Sequence, residues 1–283
     1  MMTWETIQRA DHDEGIVRLS LDRPETHNAQ NPEMLDELDD AIQEIAAEDD
    51  ARVLILDGNG PSFSAGHDLG REGFDKAWTA EERLAFEQEY YFDKSMRIRD
   101  VKIPTIAQIH GYCGAAGMML FSVCDLAIAT EAAEIQNPVT RMSAAGLELL
   151  LEPWEVGIRK AKEVLWTGDS ISGREAERLG MVNRTVPEAD IDTETMILAT
   201  KIARMPPFAI KLSKKSFNFM QDQMGQRDAY RYHFMVHQLS HASEEWGTSQ
   251  ADAKEVIREE GMQEWVRQRD EPFDVDPDSI DEP

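Results

Sequence analysis

Residues 104–117 read Pro104-Thr105-Ile106-Ala107-Gln108-Ile109-His110-Gly111-Tyr112-Cys113-Gly114-Ala115-Ala116-Gly117. The opening residues form a short apolar run that reads as a buried strand. The strand breaks at Gly111, and Gly114-Ala115-Ala116-Gly117 has the small side chains of a close-packed helix start. Working outward, the same alternation recurs. Ile16–Leu21 is a half-buried strand, and Asn31-Pro32-Glu33 opens a helix with an Asn cap and proline in the first turn. Met34, Leu35, Leu38, Ile42 and Ile45 then repeat at helical spacing. Val53–Leu56 and Leu126–Ala129 are further strands, and residues 79–100 form a charged helical stretch. Ser172-Gly173-Arg174-Glu175 has the form of a capping box, with Gly180 closing its helix. From Pro206 the pattern is helical throughout. Strands and helices alternate to about residue 190, which predicts an α/β core with a helical appendix.

Composition bounds the function. The chain has 283 residues, 41% of them hydrophobic, and 55 acidic against 29 basic side chains, for a formal charge of −26. A nucleic-acid surface needs a basic footprint, so no nucleic-acid partner is expected. Docking on anionic membranes is disfavoured for the same reason, and no apolar run approaches the length of a membrane helix. The polar, acidic start of the chain does not read as a signal peptide. Two cysteines, Cys113 and Cys124, are too few for a disulfide framework, and a reducing cytoplasm is expected.

A second loop, Phe63-Ser64-Ala65-Gly66-His67-Asp68-Leu69, also follows a buried strand. Small residues let a backbone approach a ligand closely, and a helix start presents unpaired N–H groups with partial positive charge. Two such loops side by side could aim two amides at one oxygen, the arrangement that stabilises a carbonyl gaining negative charge. Read alone, Gly-Ala clusters after strands more often only turn the chain.

Taken in order, several motifs resemble the crotonase superfamily, the enoyl-CoA hydratase/isomerase family. They are Arg23-Pro24-Glu25-Thr26-His27-Asn28-Ala29, the 63–69 loop, the 110–117 loop with Cys124-Asp125-Leu126-Ala127 behind it, Thr167–Ser172, and Leu179-Gly180-Met181-Val182-Asn183. The resemblance covers roughly residues 14–245. It implies a crotonase-like spiral of ββα units over residues 1–205, a helical oligomerisation region over 206–269 that builds a homotrimer or dimer of trimers, and leaves an acidic tail, 270–283, that reads as disordered. It implies an acyl-CoA thioester substrate and an enolate held by the amides of His67 and Ala116. Ala65, Gly66, Asp68 and Leu69 would line the entrance for CoA and the acyl group. Lys214 and Lys215, beside Lys211, would approach the adenosine phosphate, unless they form only a solvated face. No metal or redox cofactor is implied, since CoA arrives with the substrate.

The chain also departs from the family. The two glutamates that hydrating members use fall at Met119 and Val139, which carry no proton. Simple hydration is therefore not expected; isomerisation, hydrolysis or C–C cleavage start from the same enolate. A non-catalytic acyl-CoA-binding subunit is the alternative. The second amide position is Ala116 where glycine is usual, and alanine resists positive φ. Glu148, in the apolar stretch Ala144–Leu151, is the candidate replacement acid or base, with a pKa raised by its neighbours; an exposed helical glutamate is the competing reading. Glu152 is the only other nearby carboxylate in that segment. His67 is expected to line the pocket through its ring, because no carboxylate partner is visible to orient it. His233, His237 and His241 stand four apart on one helix, and packing is favoured over a metal because no acidic partner of suitable spacing accompanies them.

Overall fold

Val53, Leu54, Ile55 and Leu56 are all buried and form the middle of a six-stranded sheet. The computed structural model describes residues 4–69 and 78–276. In chain order the strands are β1 (Ile7–His12), β2 (Ile16–Leu21), β3 (Val53–Gly58), β4 (Ser62–Ser64), β5 (Thr105–Ile109), β6 (Tyr112–Gly114), β7 (Leu126–Thr130), β8 (Glu134–Gln136), β9 (Ile171–Ser172) and β10 (Arg184–Val186). The helices are α1 (Pro32–Ala47), α2 (Ala80–Glu87), α3 (Lys94–Asp100), α4 (Ala116–Ser122), α5 (Glu152–Val156), α6 (Ile158–Thr167), α7 (Gly173–Leu179), α8 (Ile191–Ala203), α9 (Pro207–Gln223), α10 (Gln226–His241), α11 (Glu244–Glu259) and α12 (Met262–Asp270).

The large sheet runs β1-β2-β3-β5-β7-β10 and the small one β4-β6-β8-β9. Only β1–β2 and β8–β9 are antiparallel. Each of β3, β5 and β7 passes directly to a small-sheet strand, β4, β6 and β8, before the chain turns back through helices. That repeat is the expected spiral of ββα turns. Its registers, Ile55↔Ile106 and Ala107↔Ala127 in one sheet and Tyr112↔Glu134 in the other, stack the ends of successive turns above one another. The loops after β4 and β6 are thereby neighbours.

Local chemistry fixes the elements. The Asn31 carboxamide accepts from the Met34 amide, and Pro32 occupies the first turn of α1. Met34, Leu35, Leu38, Ala41, Ile42 and Ile45 are its buried face, as the periodicity predicts. Ser172 caps α7 by accepting from the Glu175 amide, but the Glu175 carboxylate pairs with Arg178 instead of returning to the cap. The complete capping box is at Thr79 and Glu82, at the start of α2. The charged stretch 79–100 is not one regular helix: between α2 and α3 the backbone widens into a π-helical turn, Gln88–Asp93. Such turns are rare and recur at functional sites.

Helices α9 to α12 form the C-terminal region. Lys214 is not a surface cation there. It is buried in α9, with its ammonium 2.7 Å from Asp125 and 2.9 Å from the Ile103 carbonyl. The expected tail also begins inside ordered structure. Asp270 ends α12 and receives Arg141 at 3.0 Å and Arg269 at 2.7 Å, and the Phe273 ring sits 4.5 Å beneath the Arg141 guanidinium. Arg141, with Arg269 and with Arg267 on Glu271, thus holds residues 270–273, which acidity and proline content concealed. The remainder of that tail, 277–283, lies outside the described residues. Among the described residues no helix is long and apolar enough to cross a membrane.

Candidate active site

The two glycine-bearing loops touch. Gly66 has φ +94, and a Cβ there would stand 2.9 Å from the Ala115 Cβ, the Ala116 nitrogen and the Gly114 carbonyl oxygen. Only glycine permits that approach. The first loop is braced by the entry loop before it. The Gln30 amide donates to the Gly66 carbonyl and the Asp68 amide to the Gln30 carbonyl, while Asn28 donates to the Ser62 and Phe63 carbonyls. Arg23 pairs with Asp68 at 2.8 Å. This pattern leaves out the His67 amide, and Ala116, first residue of α4, has no intrahelical acceptor for its own. Among the described residues neither amide has a hydrogen-bond partner. The positive φ expected to trouble Ala116 falls on Ala115 instead, at φ +45, while Ala116 is an ordinary helical residue.

Beside the first loop lies a cavity of about 190 Å³. His67, Asp68 and Leu69 form one wall, and Val139, Met142 and Leu147 contribute apolar surface. Trp78, Phe86, Tyr91, Trp246 and Trp265 make it aromatic. Ala65, Gly66, Ala116 and Met119 do not line it, nor do Lys214 and Lys215. Lys215 stays on the exposed face of α9. Val139 lines the cavity, and Met119 is buried away from it.

Glu148 is in this wall, 3% exposed, on an irregular segment and not on a helix. Both its oxygens lie 3.2 Å from His67 Nε2. The partner that sequence could not supply for His67 is therefore Glu148, 81 residues away. The His67 ring is stacked on Tyr91 at 3.6 Å, from the π-helical turn. Burial by itself would push the Glu148 carboxyl up, but the charge and hydrogen bond of His67, with the charge of His237, outweigh it and hold the group below its ordinary value. The expectation of a raised pKa fails because the pocket is apolar only along the chain; across space it is lined with imidazoles.

A second carboxylate, Glu87 at the end of α2, was not visible as a site residue. It lies 3.3 Å from His237 Nε2 and 3.4 Å from His241 Nδ1, and accepts from Arg83 at 3.1 Å and from Gln238. Burial opposes its ionisation, yet His237 and His241 hold it well below the usual carboxylate range. His237 Nδ1 donates to the Gly146 carbonyl at 2.8 Å and His233 Nε2 to that of Leu147 at 2.9 Å. Glu87, His237 and His241 offer one ligand atom each within 4.8 Å of one another. A histidine pair four apart facing an acidic helix was the available signal, but its partner is 150 residues upstream. Glu152 is buried, accepts from Asn137, and does not line the cavity. His110 caps the back of its loop, on the Gly60 carbonyl at 2.9 Å.

The spiral of ββα turns and the paired loops above it define a protein of the crotonase class. Comparison with known proteins agrees. The sequence profile of the enoyl-CoA hydratase/isomerase family matches residues 11–275. EchA13 of Mycobacterium tuberculosis, which carries an enoyl-CoA hydratase name, is 41% identical over 264 residues, 86% of this chain and 82% of that one. Human mitochondrial enoyl-CoA hydratase domain-containing protein 3 is 34% identical over 72% of this chain and 67% of its own length. The crystal structure of an enoyl-CoA hydratase/isomerase from Xanthobacter autotrophicus Py2 superposes with a TM-score of 0.90 at 30% identity, covering 96% of this chain and 100% of that one. The chain belongs to the enoyl-CoA hydratase/isomerase family.

Proposed function

We propose that this chain is an acyl-CoA enzyme of the crotonase type that stabilises a thioester enolate without being a simple hydratase. The observation that carries the reading is His67, whose backbone amide has no internal partner and whose ring holds the buried Glu148 carboxylate at 3.2 Å, with the Ala116 amide across the loop contact at Gly66. An ionised Glu148 is in the form a base needs. It would take the proton from the carbon alpha to the thioester, and the electron pair released would move onto the carbonyl oxygen between the amides of His67 and Ala116. The dipole of α4 would add to that stabilisation. His67, whose Nε2 donates to Glu148, would orient the carboxylate. The proton then returns to carbon, at the same position or another, or the enolate partitions by C–C cleavage or hydrolysis.

Ala65, Gly66, Asp68 and Leu69 support the reading as the loop that carries the first amide, with Asp68 locking it to Arg23. Met119 and Val139 support the exclusion of hydration, since neither can activate water. A buried carboxylate at the cavity favours this over a purely acyl-CoA-binding subunit. A cytoplasmic setting fits two cysteines that are both free. A homotrimer or dimer of trimers fits the exposed Phe208, Phe217, Phe219, Tyr232 and Leu239 of α9 and α10.

The test is exchange of alpha protons in deuterated water, followed by mass spectrometry across a panel of acyl-CoA thioesters. Wild type is expected to exchange at least one of them. Glu148→Gln is expected to retain binding and to lose exchange about 10²–10⁴-fold. Exchange that survives this substitution unchanged would sink the assignment of Glu148, and rapid hydration of crotonyl-CoA would sink the exclusion of hydratase chemistry.

A further inference from the structure

The polar atoms around Glu87 divide into two sets. Ordinary donors sit at hydrogen-bond distance, with Arg83 at 3.1 Å from Glu87 and His237 Nδ1 at 2.8 Å from the Gly146 carbonyl. His237 Nε2 and His241 Nδ1 do not. They stand 3.3 and 3.4 Å from the two carboxylate oxygens, out of hydrogen-bonding alignment, and both nitrogens are buried without a hydrogen-bond partner. His237 is only 4% exposed. The two contacts run to different oxygens, His237 Nε2 to Oε2 and His241 Nδ1 to Oε1, each near the separation of neighbouring ligand atoms about a metal, and one atom from each residue lies within 4.8 Å of the others. Bonds of about 2.0–2.1 Å to a tetrahedral centre put neighbouring ligand atoms roughly 3.3–3.4 Å apart.

We infer that Glu87, His237 and His241 form a binding site for one divalent transition-metal ion, of the zinc class that imidazole and carboxylate ligands select. Its supports are those a metal site needs. The Gly146 carbonyl fixes His237 Nδ1 as the protonated nitrogen, so Nε2 presents its lone pair. Arg83 and Gln238 orient the carboxylate from outside. The two histidines, at i and i+4 on α10, lie on one face of the helix. Glu148, with an oxygen 3.6 Å from His237 Nε2, adds a second negative charge. Asp68, Glu87 and Glu148 line the cavity together with Arg83 and Lys254, so carboxylates outnumber cationic side chains in its wall. All three ligands line the same cavity as Glu148 and His67. The sequence argues against a metal because no acidic or cysteine partner of suitable spacing accompanies the histidines; the fold brings a carboxylate from α2. The inference rests on these distances and stands apart from the acyl-CoA reading.

The experiment uses the full chain, stripped with a chelator and dialysed. Zn²⁺ uptake is measured by calorimetry and elemental analysis, and Co²⁺ uptake by its visible ligand-field spectrum. One ion per chain is expected, together with a rise in melting temperature on adding Zn²⁺. His241→Ala is expected to weaken binding more than about 100-fold, beyond the loss typical of an outer-shell partner, and to abolish the thermal shift. His12→Ala, which removes an exposed imidazole, is expected to change neither. Wild type that takes up no ion would overturn the site, leaving a network that shares protons. Uptake that His241→Ala leaves intact would overturn it equally, as adventitious binding elsewhere. Circular dichroism of the stripped variant separates lost ligation from lost folding, and the wild-type Co²⁺ spectrum decides the matter if the variant does not fold.

Discussion

Glu148 and His67 show how much of a site can hide in side chains that are distant in sequence. Each is unremarkable along the chain, one a glutamate among leucines and the other a histidine in a loop. Together they make a carboxylate–imidazole pair at 3.2 Å, packed under Tyr91. The expectation that Glu148 would be the titratable group of the pocket came from its position, and the structure puts its carboxylate in the cavity wall; the expected direction of its pKa is reversed, because His67 and His237 are invisible from residues 144–151. Two predictions belong at this scale. His67→Ala keeps the backbone amide but removes the orienting ring. It should lower turnover about 10-fold or more while Glu148→Gln removes it almost wholly, a ranking that steady-state kinetics on any accepted thioester will read. If His67→Ala proves the more damaging, the imidazole and not the carboxylate is the proton carrier. The tautomer gives a spectroscopic check: ¹⁵N shifts of His67 should report a protonated Nε2.

At the scale of elements, the legible and the illegible divide by range. Helix α1 was readable in full because cap, proline and apolar face lie within one window. Leu38→Ala there should cost about 2–5 kcal/mol in chemical denaturation, the usual range for emptying a buried leucine site. The break of α2 and α3 into a π-helical turn was not readable, since nothing in 79–100 interrupts the helical pattern. The extra residue per turn is selected by what it packs on, His67 on one side and Phe234 on the other. Lys214 is the same lesson with the sign reversed. Three lysines on α9 looked like one solvated or phosphate-binding face, but one of them crosses inward to Asp125, which also accepts from the Thr105 amide and hydroxyl. That pair pins α9 to the ends of β5 and β7. Lys214→Met should therefore lower stability by about 3–5 kcal/mol, as breaking a buried pair does, and Lys215→Ala should be close to neutral. Equal effects of the two in a urea titration would show that Lys214 is not held as described.

For the molecule as a whole, its acidity bears on stability as well as solubility. Glu155, in α5, is pushed up to about 8 by burial first and by the adjacent Glu152 charge second. A carboxyl whose folded pKa exceeds its unfolded value binds more protons in the native state between the two. Stability therefore falls as pH rises from about 4.5 toward 8. Glu155→Gln should remove that slope. It should raise the melting temperature at pH 8 by about 2–4 °C for each kcal/mol recovered and leave it unchanged near pH 4. A melting temperature that is indifferent to this substitution at pH 8 would show that Glu155 is hydrated and ionised. The overall spiral was legible because each ββα turn is written consecutively in the chain. The cavity was not, because its walls come from the first loop, α2, the 139–148 segment and the C-terminal helices.

The close approach of Gly66 to Ala115 and Ala116 has an evolutionary consequence. The spacing of the two amides depends on an atom that is missing, and a glycine codon becomes an alanine codon by a single base change. That change would drive a methyl group between the loops while leaving the sheets, the cavity and the aromatic wall in place. A descendant released from selection for turnover thus has a one-step route from catalyst to binder, and an ancestor of binders would regain chemistry by the reverse step. Lineages of this architecture should therefore record, at position 66, whether the reaction is still under selection.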